Sequence, residues 1–250
     1  MSDRKRKVRR ARLPNKILAL PNPDKTFHEK WYQGRNMLNI PHPWRGVFLG
    51  PPNCGKGCAV KNLLLRAKPQ FEQVFVIHCD PDYTQEWDDI GAETLNQIPA
   101  PDEWEGQVKT LVILDDLDYR SMDKTQMRNL CRLYGFCSTH KQISVALLQQ
   151  DAFSLPASVR RCSNLFVFWR CPDLDAMSCV ARKTGMKAKN FNDIFNQLNM
   201  NGHDSLWIDM SAKSPYPKRK NGYSLIKLND RWASCFALSL TIIRTHYLSL

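Results

Sequence analysis

The sequence lacks any cysteine pattern of the kind that binds zinc. It holds nine cysteines but no C-x-x-C pair, and the gaps between Cys131, Cys137, Cys162, Cys171 and Cys179 do not match a zinc ribbon or finger. An odd number of cysteines without a secretion signal is typical of reduced thiols in an intracellular compartment. We therefore expect no structural metal site.

The sequence also lacks an apolar run long enough to cross a membrane. Charged residues begin at Asp3, so the N-terminus has no apolar signal-peptide core and we expect no secretion. The most apolar late segment, 233–243, has eleven residues before Arg244, whereas a bilayer requires about 20. We predict a buried or oligomer-facing C-terminal helix there and no membrane partner.

The chain does hold enough apolar side chains for a packed core. Of its 250 residues 43% are hydrophobic, among them 7 Trp and 11 Phe. This composition excludes a mainly disordered chain. The length fits one α/β domain with short appendages, or at most two small domains.

Positive charge is in excess, and half of the excess lies in one short segment. The formal net charge is +12 and the sequence pI is about 9.4, which favours attraction to polyanions. Residues 1–13 hold seven Lys or Arg against one acid, a local net charge of +6. We predict a basic N-terminal arm and lead-in over residues 1–43, and a body that is only mildly basic.

Short apolar runs alternate with helical patterns from residue 45 onward. The runs predict buried strands at 45–49, 73–79, 110–114, 143–148 and 165–169. Helical spacing predicts helices at 56–68, 121–137, 173–184 and 190–199, and 205–210 with 223–228 form a candidate C-terminal β-hairpin. Such alternation indicates an α/β fold, a mostly parallel sheet flanked by helices on both faces. We predict a core domain over 44–230 and an apolar tail over 231–250.

A glycine-rich loop follows the first predicted strand. It fits the pattern G-x-x-x-x-G-K, in which backbone N–H groups wrap a phosphate and a helix N-terminus faces that anion. Lys56 would reach the β- and γ-phosphate oxygens. The alternative is an ordinary strand-to-helix turn with a surface lysine. The predicted nucleotide-binding residues are Gly50, Pro51, Pro52, Asn53, Cys54, Gly55, Lys56, Gly57 and Cys58.

The loop departs from the pattern at Gly57, where the pattern has Ser or Thr. That hydroxyl is normally a direct Mg²⁺ ligand. Because Mg²⁺ readily keeps several waters, water could take the position. We expect a lower metal affinity or a slower reaction as a result.

Two carboxylates follow the third predicted strand. Because a buried strand carries no charge in its interior, the pair Asp115–Asp116 marks the point where the strand leaves the core. Asp115 would hold Mg²⁺ through water, and Asp116 would orient or deprotonate the attacking water. The alternative is a solvated strand end or a cap for the next helix. Asp118 is a weaker candidate of the same kind and fits a cap better.

Polar side chains also follow the fourth predicted strand, at Gln149 and Gln150. In a parallel sheet these glutamines, the acid pair and the glycine-rich loop are predicted to meet at one edge. Gln150 could sense the γ-phosphate and water through its amide. Arg160 or Arg161 could act as an arginine finger for a neighbouring subunit, or could make a surface phosphate contact or salt bridge.

Taken together, these residues resemble the FtsK–HerA superfamily, and within it the poxvirus-type genome-packaging ATPases of large DNA viruses and their small mobile relatives. The resemblance covers roughly residues 47–173 and implies a RecA-like P-loop NTPase core. The family has a strand of the type H-x-x-I-S-V-I-x-x-x-Q, then a Phe, a Pro, an Arg, an Asn and a Pro–Asp turn. The matching positions here are His140, Ile143, Gln150, Phe153, Pro156, Arg160, Arg161, Asn164, Pro172 and Asp173.

The resemblance assigns roles to residues and implies partners. Asp115 matches the family's Walker B aspartate, Asp116 its second acid, and Gln150, rather than Gln149, its sensor. Thr139 stands where an Arg is frequent, which leaves the arginine-finger assignment open. The family implies ATP and Mg²⁺ as cofactors, and a homo-oligomeric ring that threads double-stranded DNA into a preformed viral capsid.

The expected function is therefore an ATP-hydrolysing motor that packages a viral genome. We expect it inside the host cell, in the nucleus as the basic arm suggests, and in the virion. Two alternatives stay open. One is a P-loop kinase of a small substrate, although the sequence offers no compact group of lid arginines. The other is a degenerate P-loop module that only docks DNA or capsid, for which Gly57 is the best argument.

Overall fold

The structure, a computed structural model, describes residues 40–80, 82, 85–197, 203–211, 217–226 and 242–243. The basic arm predicted over 1–13 and most of the tail predicted over 231–250 lie outside the described residues. The division of the chain into arm, core and tail therefore stays a prediction.

The centre of the fold is a parallel sheet of six strands. They are β1 (Arg45–Leu49), β2 (Gln73–His78), β3 (Glu93–Leu95), β4 (Thr110–Asp115), β5 (Ile143–Gln149) and β6 (Leu165–Trp169). Their order across the sheet is β6-β1-β5-β4-β2-β3, and every neighbouring pair is parallel. β5 lies between β1 and β4 with all of its residues buried, as expected of a strand with neighbours on both sides and helices on both faces.

Antiparallel strands extend the sheet beyond β6. They are β7 (Ser205–Asp209), β8 (Lys218–Lys220), β9 (Ser224–Ile226) and the two-residue strand β10 (Ile242–Ile243), each paired with the one before it. The sequence predicted pairing between 205–210 and 223–228, but β7 pairs instead with β8, which lies inside the predicted loop. The buried guanidinium of Arg219 reaches the buried Asp209 carboxylate at 3.4 Å, so a segment that looked solvated forms a strand.

Helices cover both faces of the sheet. They are α1 (Lys56–Leu65), α2 (Lys124–Arg132), α3 (Ala157–Cys162), α4 (Leu174–Ala181) and α5 (Ala188–Gln197). α2 continues through a π-helical turn at Leu133–Cys137 and a last turn at Ser138–His140. Two 3-10 helices add Gln85–Ile90 and Arg182–Thr184. None of the helices in the described ranges is long and apolar enough to cross a membrane.

The strands divide their side chains between two hydrophobic clusters, one on each face. In β4, Leu111 and Ile113 face the cluster that contains Val60 of α1, whereas Val112 and Leu114 face the cluster that contains Leu130 of α2. This alternation follows from the two-residue period of a strand. The predicted α/β class, a mostly parallel sheet flanked by helices, is confirmed.

Three short elements that precede β6 in the chain had no counterpart in the sequence prediction. The 3-10 helix Gln85–Ile90, strand β3 and helix α3 each span six residues or fewer. Segments of this length complete too few periods for a hydrophobic pattern to identify them. The first of them matters most, because it brings side chains to the carboxyl edge of the sheet.

Candidate functional site

The glycine-rich loop joins the end of β1 to the start of α1. Its backbone takes left-handed conformations at Asn53 (φ 58°) and Gly55 (φ 103°), and Gly55 forms the N-cap of α1. The first turn of α1 has neither a side-chain cap nor an acidic residue. Its N–H groups and the positive end of the helix dipole are therefore available to an anion.

Gly50, at the start of the loop, is enclosed by its neighbours. A Cβ atom at this position would lie 2.7 Å from Cys54 Sγ and 2.8 Å from Trp169 Cβ. The backbone N–H of Gly50 donates to the Gln149 carbonyl at 3.2 Å. These contacts fix the start of the loop between the ends of β5 and β6. Only glycine fits its first position.

Lys56 folds back over the loop that precedes it. Its Nζ donates to the carbonyl oxygens of Gly50 at 2.9 Å and Pro51 at 3.0 Å. The ammonium group therefore lies across the loop from the first turn of α1. This position suits a cation that meets the β- and γ-phosphate oxygens of a bound nucleotide.

Asp115 ends β4 at the same edge of the sheet. Its Oδ2 accepts a hydrogen bond from the indole Nε1 of Trp87 at 3.1 Å, and Trp87 is buried in the 3-10 helix Gln85–Ile90. The contact fixes the direction of the carboxylate at the carboxyl edge of the sheet. Partial burial, the charge of Asp115 and a hydrogen bond with it raise the pKa of the neighbouring Glu86 carboxyl.

Asp116 takes a left-handed backbone conformation, with φ at 50°. Its N–H donates to the Leu148 carbonyl at 3.2 Å, and its Oδ2 accepts from Gln150 Nε2 at 2.8 Å. The structure thus brings the second acid and the proposed sensor into direct contact. Gln149 points elsewhere, and its amide donates to Ser154 Oγ at 3.0 Å.

Tyr119 lies under the two acids with its side chain buried. Burial and the negative charges of Asp116 and Asp115 raise the pKa of its hydroxyl, so the group stays neutral.

The exposed Asp118 accepts a hydrogen bond from the Arg120 N–H at 3.0 Å, within its own turn. The N-cap of α2 is instead Asp123, whose carboxylate accepts from the Gln126 N–H at 2.8 Å. The capping role predicted for Asp118 is therefore wrong, because five residues separate it from the start of the helix and its carboxylate closes only a local turn.

Arg160 and Arg161 are not brought to this edge within the chain. They belong to α3, whose last carbonyl, that of Cys162, accepts from Arg45 Nε. Arg45 is the first residue of β1, so α3 ends at the amino ends of the strands, opposite the glycine-rich loop. Their assignment as arginine fingers for a neighbouring subunit stays a prediction.

One arginine that the sequence pattern did not single out does stand at the carboxyl edge. Arg120 is exposed and pairs with Asp151, which follows β5, at 3.3 Å. Glu86 and Trp87 were also missed, because they lie in a helix of six residues without a recognisable period. The three acids of that segment, Glu86, Asp88 and Asp89, were the one available signal.

The carboxylate oxygens at this edge suit a Mg²⁺ ion that is also coordinated by a phosphate ligand. Carboxylate oxygens are available from Asp115, Asp116 and Glu86, and Mg²⁺ is commonly held by one or two carboxylates together with substrate phosphates and waters. Within the described ranges, no three His, Cys, Asp or Glu side chains are arranged to hold a metal ion by themselves. A cation here would therefore take part of its shell from a bound nucleotide.

Several solved structures resemble this chain at low sequence identity. The genome-packaging NTPase B204 of Sulfolobus turreted icosahedral virus 2, in complex with AMPPCP, is 15% identical with a TM-score of 0.48, over 71% of this chain and 97% of that one. The pCW3 conjugation coupling protein TcpA, in a monomer form with ATPγS, is 13% identical with a TM-score of 0.46, over 68% and 58%. EccC of Thermomonospora curvata is 13% identical with a TM-score of 0.42, over 59% and 33%. No protein-family model and no curated protein sequence matches the chain.

At these identities and TM-scores, nothing about the activity of this chain follows from the likeness. The sheet order and the glycine-rich loop between β1 and α1 give this chain the architecture of a P-loop fold.

Gly50→Ala should damage the site, whereas Gly57→Ala should fit. The added Cβ at position 50 would collide with Cys54 and Trp169, whereas at position 57 it would lie 3.5 Å or more from its neighbours. We expect Gly50→Ala to lower the free energy of unfolding by about 1–3 kcal/mol and to weaken binding of a fluorescent ATP analogue. Gly57→Ala should unfold at the wild-type temperature or above. Equal thermal stabilities of the two variants would contradict the enclosure of Gly50.

Trp87→Phe should weaken the metal side of the site while keeping the core. The substitution removes the N–H that donates to Asp115 but retains an aromatic ring. We expect Mg²⁺ affinity to fall about tenfold, measured as the Mg²⁺ dependence of nucleotide binding. The unfolding temperature should change only slightly. Wild-type Mg²⁺ dependence in this variant would show that the Trp87 contact does not orient Asp115 for the metal.

Proposed function

We propose that the chain binds ATP with Mg²⁺, hydrolyses it, and uses the reaction to move double-stranded viral DNA into a capsid. One observation carries the enzymatic part of this proposal. The ends of three adjacent strands, β1, β5 and β4, bring together Lys56 with its loop, Gln150, and the acids Asp115 and Asp116. A loop suited to bind a phosphate and a carboxylate suited to activate water thereby lie at one edge of the sheet.

Each residue has a defined task in the proposed reaction. Lys56 and the N–H groups at the start of α1 hold the β- and γ-phosphate groups. Asp116 orients the attacking water and accepts its proton, and the amide of Gln150 sets the direction of that carboxylate. Asp115, oriented by Trp87, would hold the cation through water. When bound, Mg²⁺ would neutralise charge on the phosphate oxygens.

The coupling to DNA is proposed on the basis of charge. The local net charge of +6 in residues 1–13 suits the phosphate backbone of DNA, and we propose that this arm contacts DNA or directs nuclear entry in the host cell. We also propose a homo-oligomeric ring, with a viral capsid protein as partner. Because α3 ends at the amino ends of the strands, a finger from Arg160 or Arg161 would have to serve the nucleotide of a second copy.

The deciding experiment is the ATPase activity of the purified chain, with and without double-stranded DNA, at a stated salt concentration. Turnover stimulated by DNA without any phosphate acceptor would support the motor and exclude a small-molecule kinase. Gly57 favours the second candidate function, a degenerate loop that only docks DNA or capsid. Nucleotide and DNA binding without turnover would support that candidate.

Three substitutions should separate binding from chemistry. Lys56→Ala should lose both ATP binding and hydrolysis, because it removes the charge over the loop. Asp115→Asn should abolish hydrolysis, and Asp116→Asn should keep ATP binding but lose about a hundredfold or more in turnover. Asp118→Asn is the matched control, since its carboxylate serves the local turn. Normal hydrolysis by Asp116→Asn together with a loss of turnover in Asp118→Asn would show that Asp118, rather than Asp116, is the general base.

Deletion of residues 2–12 should weaken DNA binding but not the enzyme. We expect the thermal stability and the ATPase without DNA to stay at wild-type level, because the core domain predicted from the sequence begins only at residue 44. The slope of log K for DNA against log salt should become shallower by about 0.9 for each DNA phosphate that the arm neutralises in the full chain. An unchanged slope, together with unchanged localisation in cells, would remove both proposed roles of the arm.

A further inference from the structure

Gly57 stands opposite a carboxylate. A Cβ atom built on Gly57 would lie 3.5 Å and 3.7 Å from the two carboxylate oxygens of Glu86, and 3.5 Å from the Trp87 ring. A hydroxyl one bond beyond that Cβ would be a neighbour of Glu86. The space in which a P-loop Ser or Thr would offer its oxygen is therefore bordered by an oxygen-bearing side chain from another element.

Contacts on two sides hold the 3-10 helix that contains Glu86. On one side, Trp87 is buried and its indole N–H donates to Asp115 at the end of β4. On the other side, Lys61 of α1 donates to the Glu86 backbone carbonyl, pairs with Asp89 at 2.8 Å and lies 5.6 Å from the centre of the Trp87 ring. The 3-10 helix is thus tied both to the acidic strand and to the helix that contains Gly57.

The chemistry of these neighbours matches one class of ligand. Glu86, Asp115 and the γ-phosphate side of the loop would all present oxygen atoms, which are the atoms that Mg²⁺ prefers, and Mg²⁺ is commonly held by one or two carboxylates with substrate phosphates. We propose that Glu86 supplies the protein oxygen ligand to nucleotide-bound Mg²⁺ that Gly57 does not supply. This inference rests on the proposed function, because it requires that the loop binds a nucleotide.

A carboxylate in place of a hydroxyl has a consequence for binding. A hydroxyl is neutral, whereas Glu86 adds a negative charge beside Asp115 and near the phosphate groups. Without a cation, that charge repels the nucleotide; with Mg²⁺, it becomes an attractive ligand. Removing the charge should therefore have opposite effects on nucleotide affinity in the absence and presence of Mg²⁺.

The test compares wild type with Glu86→Gln by titration with a fluorescent ATP analogue, in Mg²⁺ and in EDTA. We expect the Mg²⁺ concentration for half-maximal binding to rise about tenfold to a hundredfold in Glu86→Gln. In EDTA the variant should bind the nucleotide more tightly than wild type, because the repelling charge is gone. Asp88→Asn, which removes the same charge two residues along the same helix, should match wild type in its Mg²⁺ dependence.

A compensating substitution distinguishes a metal ligand from a structural role. Gly57→Ser restores the hydroxyl, so the double variant Glu86→Gln/Gly57→Ser should return to within a few fold of the wild-type Mg²⁺ requirement. Failure of this rescue would overturn the inference. A uniform loss of affinity in Mg²⁺ and in EDTA, with a lower unfolding temperature, would assign Glu86 to packing and would also overturn it.

The outcomes separate this inference from the proposed function. If wild type binds nucleotide with Mg²⁺ and Glu86→Gln has the same Mg²⁺ dependence, the ligand role of Glu86 is wrong while the nucleotide site stands. If wild type binds no nucleotide with or without Mg²⁺, the proposed function is wrong and the inference falls with it.

Discussion

The register of β5 between β1 and β4 is the constraint on which the candidate site depends. Leu49 is paired with Gln149 on one side of β5, and Asp115 is paired with Leu148 on the other. The hydrogen bonds from the N–H groups of Gly50 and Asp116 to β5 carbonyls continue this pairing beyond the strands. Because a slip of one residue would turn every side chain of β5 to the opposite face, the two hydrophobic clusters lock the register. The buried core thereby sets the distance between the phosphate loop and the acids.

This constraint concentrates negative charge at one edge of the sheet. Asp115, Asp116 and Glu86 converge there, and the raised pKa of Glu86 reflects the burial and the nearby Asp115 carboxylate. Such an arrangement is unfavourable by itself, because like charges in a partly desolvated cleft repel each other. Lys56 and the start of α1 offer positive charge on the loop side, across from the acids. The charge pattern thus separates a side suited to a phosphate anion from a side suited to a cation.

Much of this could be predicted from the sequence, for a physical reason. Because the parallel strands are buried on both faces, their sequences are continuous apolar runs. The polar residues that follow those runs mark the edge of the sheet. Gly50, Lys56, Asp115 and Gln150 were found in this way. Glu86 was not, because it lies in a 3-10 helix of six residues and meets Asp115 only through the tertiary fold.

The position of β8 was missed for a different reason. A run of three basic residues is normally solvated, and here the middle one, Arg219, is buried against Asp209. Sequence composition does not reveal such a pairing between distant charges. The location of α3 was likewise unpredictable, because the contact between Cys162 and Arg45 joins residues 117 positions apart. In each case a long-range polar contact decided the placement of a short element.

The backbone at Asp116 bears on the choice between a motor and a docking module. A non-glycine residue held at φ 50° costs on the order of 1–3 kcal/mol, and such strain clusters at functional sites where the surrounding structure maintains it. Here the Leu148 carbonyl and the Gln150 amide fix the backbone and the side chain of Asp116 respectively. A module that only docks DNA or capsid has no need of a strained, oriented carboxylate beside its glycine-rich loop, whereas hydrolysis requires one to direct water. The geometry of Asp116 is therefore an argument for the proposed hydrolysis and against the docking alternative.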